Sequence, residues 1–233
     1  MKKVDLSYRS EEEEIMDDLS DDSPALYRAL KELDIINHWL GGNAITLNAT
    51  RKILKSNPTK EWKIADLGCG SGEMLLKIAK WCRKKNIKIQ LHGFDANPNV
   101  IAYAEKHCKL YPEINFHADN IFSEGFKNRS FDIITCTLFL HHFPKDDLIP
   151  LLRQFREQSN KIIINDLHRH PFAYYSIKWI TRFFSKSTMV QNDACLSVWR
   201  SFTKKDWKEI LKLAEIQNYE LEWRWAFRWK LIY

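Results

Sequence analysis

The 233-residue sequence contains no run of about 18 apolar residues, which excludes an obvious membrane-crossing helix and any insertion into a bilayer of that kind. Its five cysteines, Cys69, Cys82, Cys108, Cys136 and Cys195, form no C-x-x-C pair, so the usual structural zinc clip is excluded. Their odd number, with no apolar stretch at the N-terminus, points to a reducing, cytoplasmic setting. The net charge is +6, yet the longest basic run is only Arg83-Lys84-Lys85. That run reads as a solvated helix end, and no nucleic-acid partner is expected from it. Internal repeats and low-complexity linkers are also missing. Glycine is scarce, with seven in all, yet three of them stand at 68, 70 and 72. Their spacing lacks the G-x-G-x-x-G of a dinucleotide fingerprint, and no Lys-Ser/Thr follows as in a phosphate-binding P-loop.

What is present is a strand–turn–helix rhythm. Residues 1–22 are polar and acidic, with Glu11 to Glu14 consecutive, and read as a solvated arm. Leu26, Leu30, Leu33, Ile36 and Leu40 recur at helical spacing; Gly41 and Gly42 stop that helix, and a second runs from near Ala44 to before Pro58. From residue 62 the pattern becomes strand (62–67), helix (73–85), strand (87–94), helix opened by Asn97-Pro98, strand (114–118), strand (131–139), helix (145–158) and strand (161–165). Such alternation predicts a parallel sheet with helices on both faces. The last part differs. Thr203-x-x-Asp206 opens a helix to about residue 216, and 219–225 with 227–233 read as an antiparallel hairpin at the sheet edge.

A tight glycine turn between a strand and a helix N-terminus is a ligand site in α/β folds, beyond the carboxyl ends of the strands. Glycine permits positive φ there and lets the backbone approach a ligand closely. The stretch Asp66-Leu67-Gly68-Cys69-Gly70-Ser71-Gly72 resembles the first motif of the class I S-adenosylmethionine-dependent methyltransferases, of small-molecule acceptor type. The resemblance extends from about residue 62 through most of the chain. Phe94-Asp95 ends the second strand, His117-Ala118-Asp119-Asn120 ends the third, and Phe131-Asp132-Ile133-Ile134 with Leu140-His141-His142-Phe143 matches the fourth-strand segment.

The resemblance implies a Rossmann-like class I methyltransferase fold: a mostly parallel seven-stranded sheet with an antiparallel C-terminal edge hairpin, preceded by N-terminal helices. It implies S-adenosyl-L-methionine as cofactor, held by Asp66, Gly68, Cys69, Gly70, Gly72, Asp95, Ala96, Asp119, Asn120 and Ile121. Asp95, 23 residues beyond Gly72, would accept hydrogen bonds from both ribose hydroxyls. Asp66 orders the loop or holds the cofactor's amino group.

Methyl transfer is a matter of alignment, and an acidic acceptor also benefits from a base. Histidines suit that task, and they cluster after the fourth strand (His141, His142) and the fifth (His168, His170). His141 and His168 are the candidate catalytic bases; bracing the pocket is the competing role. Asp166-x-His168-x-His170 also has metal-ligand types, but it lacks a further partner at fixed spacing, so no metal is expected. Residues 167–202 read as an acceptor lid. Phe172, Tyr175, Trp179 and Phe183 form one helical stripe within it. His142, Arg169, Tyr175, Trp179 and Arg200 are the candidate acceptor contacts, with Tyr8 and Arg9 as candidate cofactor contacts from the arm.

The expected organisation is an arm and helical cap over 1–57 and a methyltransferase domain over 58–233. The expected reaction is methylation, at oxygen or carbon, of a small, largely apolar acceptor such as a phenol, polyketide or quinone, as in secondary metabolism. Two rivals remain at this level: a nucleic-acid or protein methyltransferase, which the missing Asn/Asp-Pro-Pro-Tyr motif disfavours, and a non-catalytic binder of the same cofactor. Oligomeric state is not set by the sequence.

Overall fold

The computed structural model describes residues 4–233; residues 1–3 of the expected arm lie outside the described residues. In chain order the elements are α1 (Pro24–Trp39), α2 (Gly42–Leu54), β1 (Trp62–Leu67), α3 (Glu73–Lys85), β2 (Ile89–Asp95), α4 (Pro98–Cys108), β3 (Ile114–Ala118), α5 (Glu124–Lys127), β4 (Phe131–Thr137), α6 (Lys145–Gln158), β5 (Ser159–Leu167), α7 (Pro171–Phe184), α8 (Thr188–Arg200), α9 (Lys204–Leu213), β6 (Glu220–Arg224) and β7 (Arg228–Ile232). One seven-stranded sheet has the order β3-β2-β1-β4-β5-β7-β6. Strands β1 to β5 are parallel, while β7 lies antiparallel between β5 and β6. This is the seven-stranded class I architecture expected from the sequence.

The strand order reverses between β1 and β4. A crevice therefore opens beyond their carboxyl ends, and the glycine turn after β1 lies there. Buried strands feed two core layers by period-two alternation. Ile133 of β4 joins Leu75, Ile78 and Ala79 of α3 on one face. Ile134 joins Leu148, Leu152 and Phe155 of α6 and Trp207 and Ile210 of α9 on the other. Local signals fix the helix starts. The Asn97 side chain accepts from the backbone N–H of Asn99 and Val100 before Pro98, and Thr203 with Asp206 forms a reciprocal capping box. All five cysteines are free and buried.

Two regions matter, and only the second departs from expectation. Residues 167–202 fold mostly into α7 and α8, packed against each other through Tyr174, Leu196 and Trp199. The arm is not a solvated tail. Val4, Leu6 and Met16 pack on buried apolar clusters, and the N–H groups of Ile15 and Met16 each donate to the Asp193 carboxylate at 3.0 Å. Only Glu11, Glu12 and Glu13 of the acidic run are exposed; Glu14 turns inward and is buried. The acidic run hid an anchored segment because three of its four carboxylates do face water.

Candidate active site

Gly68, Gly70 and Gly72 all have positive φ, at 64°, 50° and 76°, so each needs the freedom that glycine has. Their surroundings differ. A Cβ on Gly68 would stand 2.1 Å from the Phe139 ring, and one on Gly72 would stand 2.7 Å from Phe116. On Gly70 it would meet nothing nearer than Leu30 at 4.0 Å. Gly68 and Gly72 serve packing as well as turn geometry, whereas Gly70 leaves open space for a ligand. We expect Gly68→Ala to lower folding stability by about 1–3 kcal/mol, through positive-φ strain and the displaced ring. A denaturant titration matching wild type would refute that.

The loop is tied to the tip of β2. Asp95 Oδ2 accepts from the Gly70 N–H at 3.2 Å and Oδ1 from the Asn97 N–H at 3.0 Å. Burial raises the Asp95 pKa, and these backbone donors oppose the rise. Asp66 is buried and accepts from Thr135 Oγ1 at 2.6 Å. Burial pushes its pKa to about 7, against the Thr135 hydrogen bond, and the Asp95 charge adds to the rise. Beyond β3, Asp119 Oδ1 accepts from Ser123 Oγ at 2.9 Å, and Asn120 Oδ1 accepts from the Phe122 N–H at 2.9 Å.

These strand tips open into a cavity of about 770 Å³. Every cofactor residue expected from the glycine loop and the strand tips lines it except Gly72, which lies behind the loop against Phe116 and Cys108. The space above Gly70 and the carboxylates at the strand tips fit a nucleoside-bearing sulfonium.

The same cavity is lined by His141, His142 and Arg200. His141 is buried. Its Nδ1 lies 2.7 Å from Asp166 Oδ1, its own N–H donates to Asp166 Oδ2 at 3.2 Å, and its Nε2 stands 3.5 Å from Glu14 Oε1. Burial works against a charged imidazole here, but Asp166 and then Glu14 outweigh it and hold the pKa at about 9. Both carboxylates are correspondingly lowered despite burial. His142 Nδ1 lies 2.7 Å from Asp17 Oδ1. Among the described residues, Glu14, His141 and His142 bring ligand-type atoms within 4.8 Å of one another. A transition metal accepts that donor set, although hydrogen bonds and ion pairs to Asp17 and Asp166 already engage both histidines.

Four of the sequence-derived catalytic and acceptor candidates stand elsewhere. His168 does not line the cavity; it packs edge-on against Trp229, with ring centroids 4.9 Å apart. Burial, then the neighbouring His170 and Arg169, lowers its pKa to about 4. Arg169 is buried away from the cavity, bonding the carbonyls of Leu6 and Ser201 and pairing with Asp206 at 3.0 Å. Tyr175 and Trp179 face solvent; α7 instead presents Ala173, Ser176, Ile177 and Ile180 to the cavity. Arg200 does line it, but its donors go to the carbonyls of His141 and His142 and to Asp17 at 2.7 Å. Arg9 braces the same segment, donating to the carbonyls of His141 and Phe143. Neither Tyr8 nor Arg9 lines the cavity.

Sequence reasoning missed Glu14 and Asp17, which come from the arm, and Asp166 as the partner of His141. It also missed Arg228. That residue is buried in the cavity wall with Nη2 on Asn37 Oδ1 at 3.1 Å, and its Nε and Nη1 have no hydrogen-bond partner among the described residues. Burial lowers its pKa to about 10, with Asp166 opposing. An arginine in the last strand carried no local signal of this position.

Residues 64–161 match a family model described as a methyltransferase domain. The chain is 25% identical over 143 residues to a carboxy-S-adenosyl-L-methionine synthase of Idiomarina loihiensis, covering 59% of this chain and 58% of the relative. It thus spans somewhat over half the length of that curated relative. Among solved structures it is similar to the plantazolicin methyltransferase BpumL in complex with SAH, at TM-score 0.63 and 18% identity over 89% of this chain and 93% of the other. It is also similar to the magnesium protoporphyrin IX methyltransferase of Synechocystis with bound SAH, at TM-score 0.54 and 13% identity over 82% and 81%.

Proposed function

We propose that this chain, whose residues 64–161 match a methyltransferase-domain model, is a class I S-adenosylmethionine-dependent methyltransferase that transfers a methyl group to the oxygen or carbon of a small, largely apolar acceptor of phenolic, polyketide or quinone type. The observation that carries this reading is one cavity lined by both halves of the chemistry: the Gly70–Asp95 cradle and His141, which Asp166 holds from behind. When bound, S-adenosylmethionine supplies a methyl on a cationic sulfur whose departure needs no acid. Asp95 retains lone pairs for ribose hydroxyls beyond its two backbone bonds. Asp66 faces the amino-acid portion, and Asp119 or Asn120 the adenine.

The acceptor's proton goes to the Glu14–His141–Asp166 group, which titrates as a unit. Asp166 orients the imidazole through Nδ1, leaving Nε2 toward the cavity side occupied by Glu14. The positive charge of Arg228 in the wall favours an acceptor whose reacting form is a phenolate or enolate. The arm and α1 bound the space from outside through residues such as Met16, Asp17 and Leu33. That enclosure favours a small acceptor over nucleic acid or protein.

The test is incubation of the protein with methyl-labelled cofactor and a fractionated small-molecule extract, followed by mass analysis of labelled product. Cofactor binding with no labelled product from any fraction would refute turnover. A pH profile tests the base. His141 is protonated below about 9, so kcat/KM should rise with pH toward that value. Glu14→Gln removes one of the carboxylates that raise the His141 pKa, so the rising limb should move to lower pH. A limb that stays put or moves upward contradicts the assignment. The same shift has a stability consequence. With the folded pKa above the ordinary value, the stabilisation is full below about 6.5 and is lost as pH rises through about 9.

A further inference from the structure

Helix α7 carries a face that the cavity does not use. At about 100° per residue its side chains fall into sectors. Tyr174 and Thr181 point into the protein, and Ala173, Ser176, Ile177 and Ile180 line the cavity. The next arc, about 80° wide on that spacing, holds Phe172, Tyr175, Trp179 and Phe183. These side chains are between 52% and 74% exposed, and Trp179 stacks on Phe183 with centroids 5.8 Å apart. Phe184, at the helix end, is exposed as well. Lys178 and Arg182 flank the arc on its far side, and Lys186 follows the helix.

Two other elements bordering the cavity also expose an indole. Trp225 lines the cavity from the β6–β7 turn, and Trp39 ends α1, whose Leu33 and Ile36 line it. Clustered aromatics of this kind exceed the scattered surface apolar residues of an ordinary soluble domain.

Charge indicates the occupant. From Leu167 to Asn192 the sequence contains no Asp or Glu, and three basic side chains, Lys178, Arg182 and Lys186, stand on or just after α7, while Arg169 is buried against Asp206. Glu12 of the arm shares a small cavity with Lys178 and Arg182, on the side of α7 away from the large one. A self-complementary contact between two copies would bring these basic side chains together, which is unfavourable. An amphipathic helix with Trp and Phe on one face and Lys and Arg beside them suits the headgroup layer of an anionic bilayer.

We propose that α7 lies in the plane of an anionic lipid surface, with Trp179, Phe183 and Phe172 among the headgroups and the cavity opening beside them. No helix among the described residues is long and apolar enough to cross a membrane, so the contact is shallow. The lipid contact does not depend on the methyl-transfer reading, and its test does not measure turnover.

The experiment is co-sedimentation of the full chain with vesicles of phosphatidylcholine alone or of phosphatidylcholine containing phosphatidylglycerol. The chain should pellet with the anionic vesicles, much less with neutral ones, and be released by high salt. Trp179→Ser with Phe183→Ser should lower the partition coefficient at least about tenfold with an unchanged circular dichroism spectrum, because both side chains are exposed. Phe172→Ser with Phe184→Ser is the independent second pair. Retention in the supernatant with both vesicle types would overturn the proposal, as would equal pelleting with both. Vesicle binding unaltered in both variant pairs would also overturn it. So would a dimer by light scattering that either pair dissociates, in a chain that ignores vesicles; the stripe would then be a protein interface.

Discussion

His141→Ala should lower turnover by about 10²- to 10⁴-fold, the range for loss of a positioned general base, with cofactor affinity close to that of the unaltered protein. The expectation rests on geometry before titration. His141 is the histidine in the cavity wall that is fixed through Nδ1 by a buried carboxylate, Asp166, at 2.7 Å. The cofactor half of the cavity is built from the tips of β1 to β3, so removing the imidazole leaves the Gly70–Asp95 cradle intact. Loss of stability must be separated from loss of chemistry, because the variant leaves Asp166 and Glu14 without their shared cation. Asp166→Asn serves that purpose: it keeps a hydrogen-bonding group beside Nδ1 while removing the charge that orients and raises the imidazole. It should lower turnover less and move the rising pH limb to lower pH. His168→Ala should leave turnover nearly unchanged, since His168 packs on Trp229 outside the cavity. Normal turnover in His141→Ala, with His168→Ala impaired, would reverse the assignment.

The contrast between the two histidines shows what a single sequence can carry. Both follow a strand of the parallel sheet and stand near its carboxyl edge, so local pattern places them equally well. What separates them comes from far along the chain: Glu14, 127 residues before His141, and Asp166, 25 residues after it. The glycine loop was legible for the opposite reason. Its positive φ values, the strand before it and the helix after it are all local, and the Asp95 link needs only one strand–helix–strand return. Even there, the separate duties of Gly68, Gly70 and Gly72 depended on Phe139 and Phe116, which the sequence does not tie to the loop. Helix α7 exposes a further limit. Periodicity correctly groups Phe172, Tyr175, Trp179 and Phe183 on one face, but it carries no sign for that face. The small residues Ala173 and Ser176, with Ile177 and Ile180, took the cavity side. The arm misled through composition, because one inward carboxylate among four cannot be told from its neighbours without the cation it meets.

Asp95→Ala tests the other half of the site and should weaken S-adenosylmethionine binding by about 1.5–3 kcal/mol, the range for hydrogen bonds to a charged group. On the scale of about 1.4 kcal/mol per factor of ten, that is roughly a 10- to 150-fold rise in Kd. Two losses combine in this change. The ribose loses its acceptor, and the N–H groups of Gly70 and Asn97 lose theirs, which loosens the loop at the glycine left open to a ligand. Asp95→Asn separates them, since its amide oxygen can still accept one backbone N–H while the charge is gone; its Kd should fall between the parent and the alanine variant. Burial already raises the Asp95 pKa above its ordinary value. Because the charged form is the better acceptor, affinity in the parent should decline on acidification sooner than an ordinary carboxylate would allow; Asp95→Asn should lose the Asp95 part of that dependence and keep the part that Asp66 adds near pH 7. Titration calorimetry reads all three quantities. An alanine variant with unchanged Kd would remove Asp95 from the sugar site, whatever its part in holding the glycine loop.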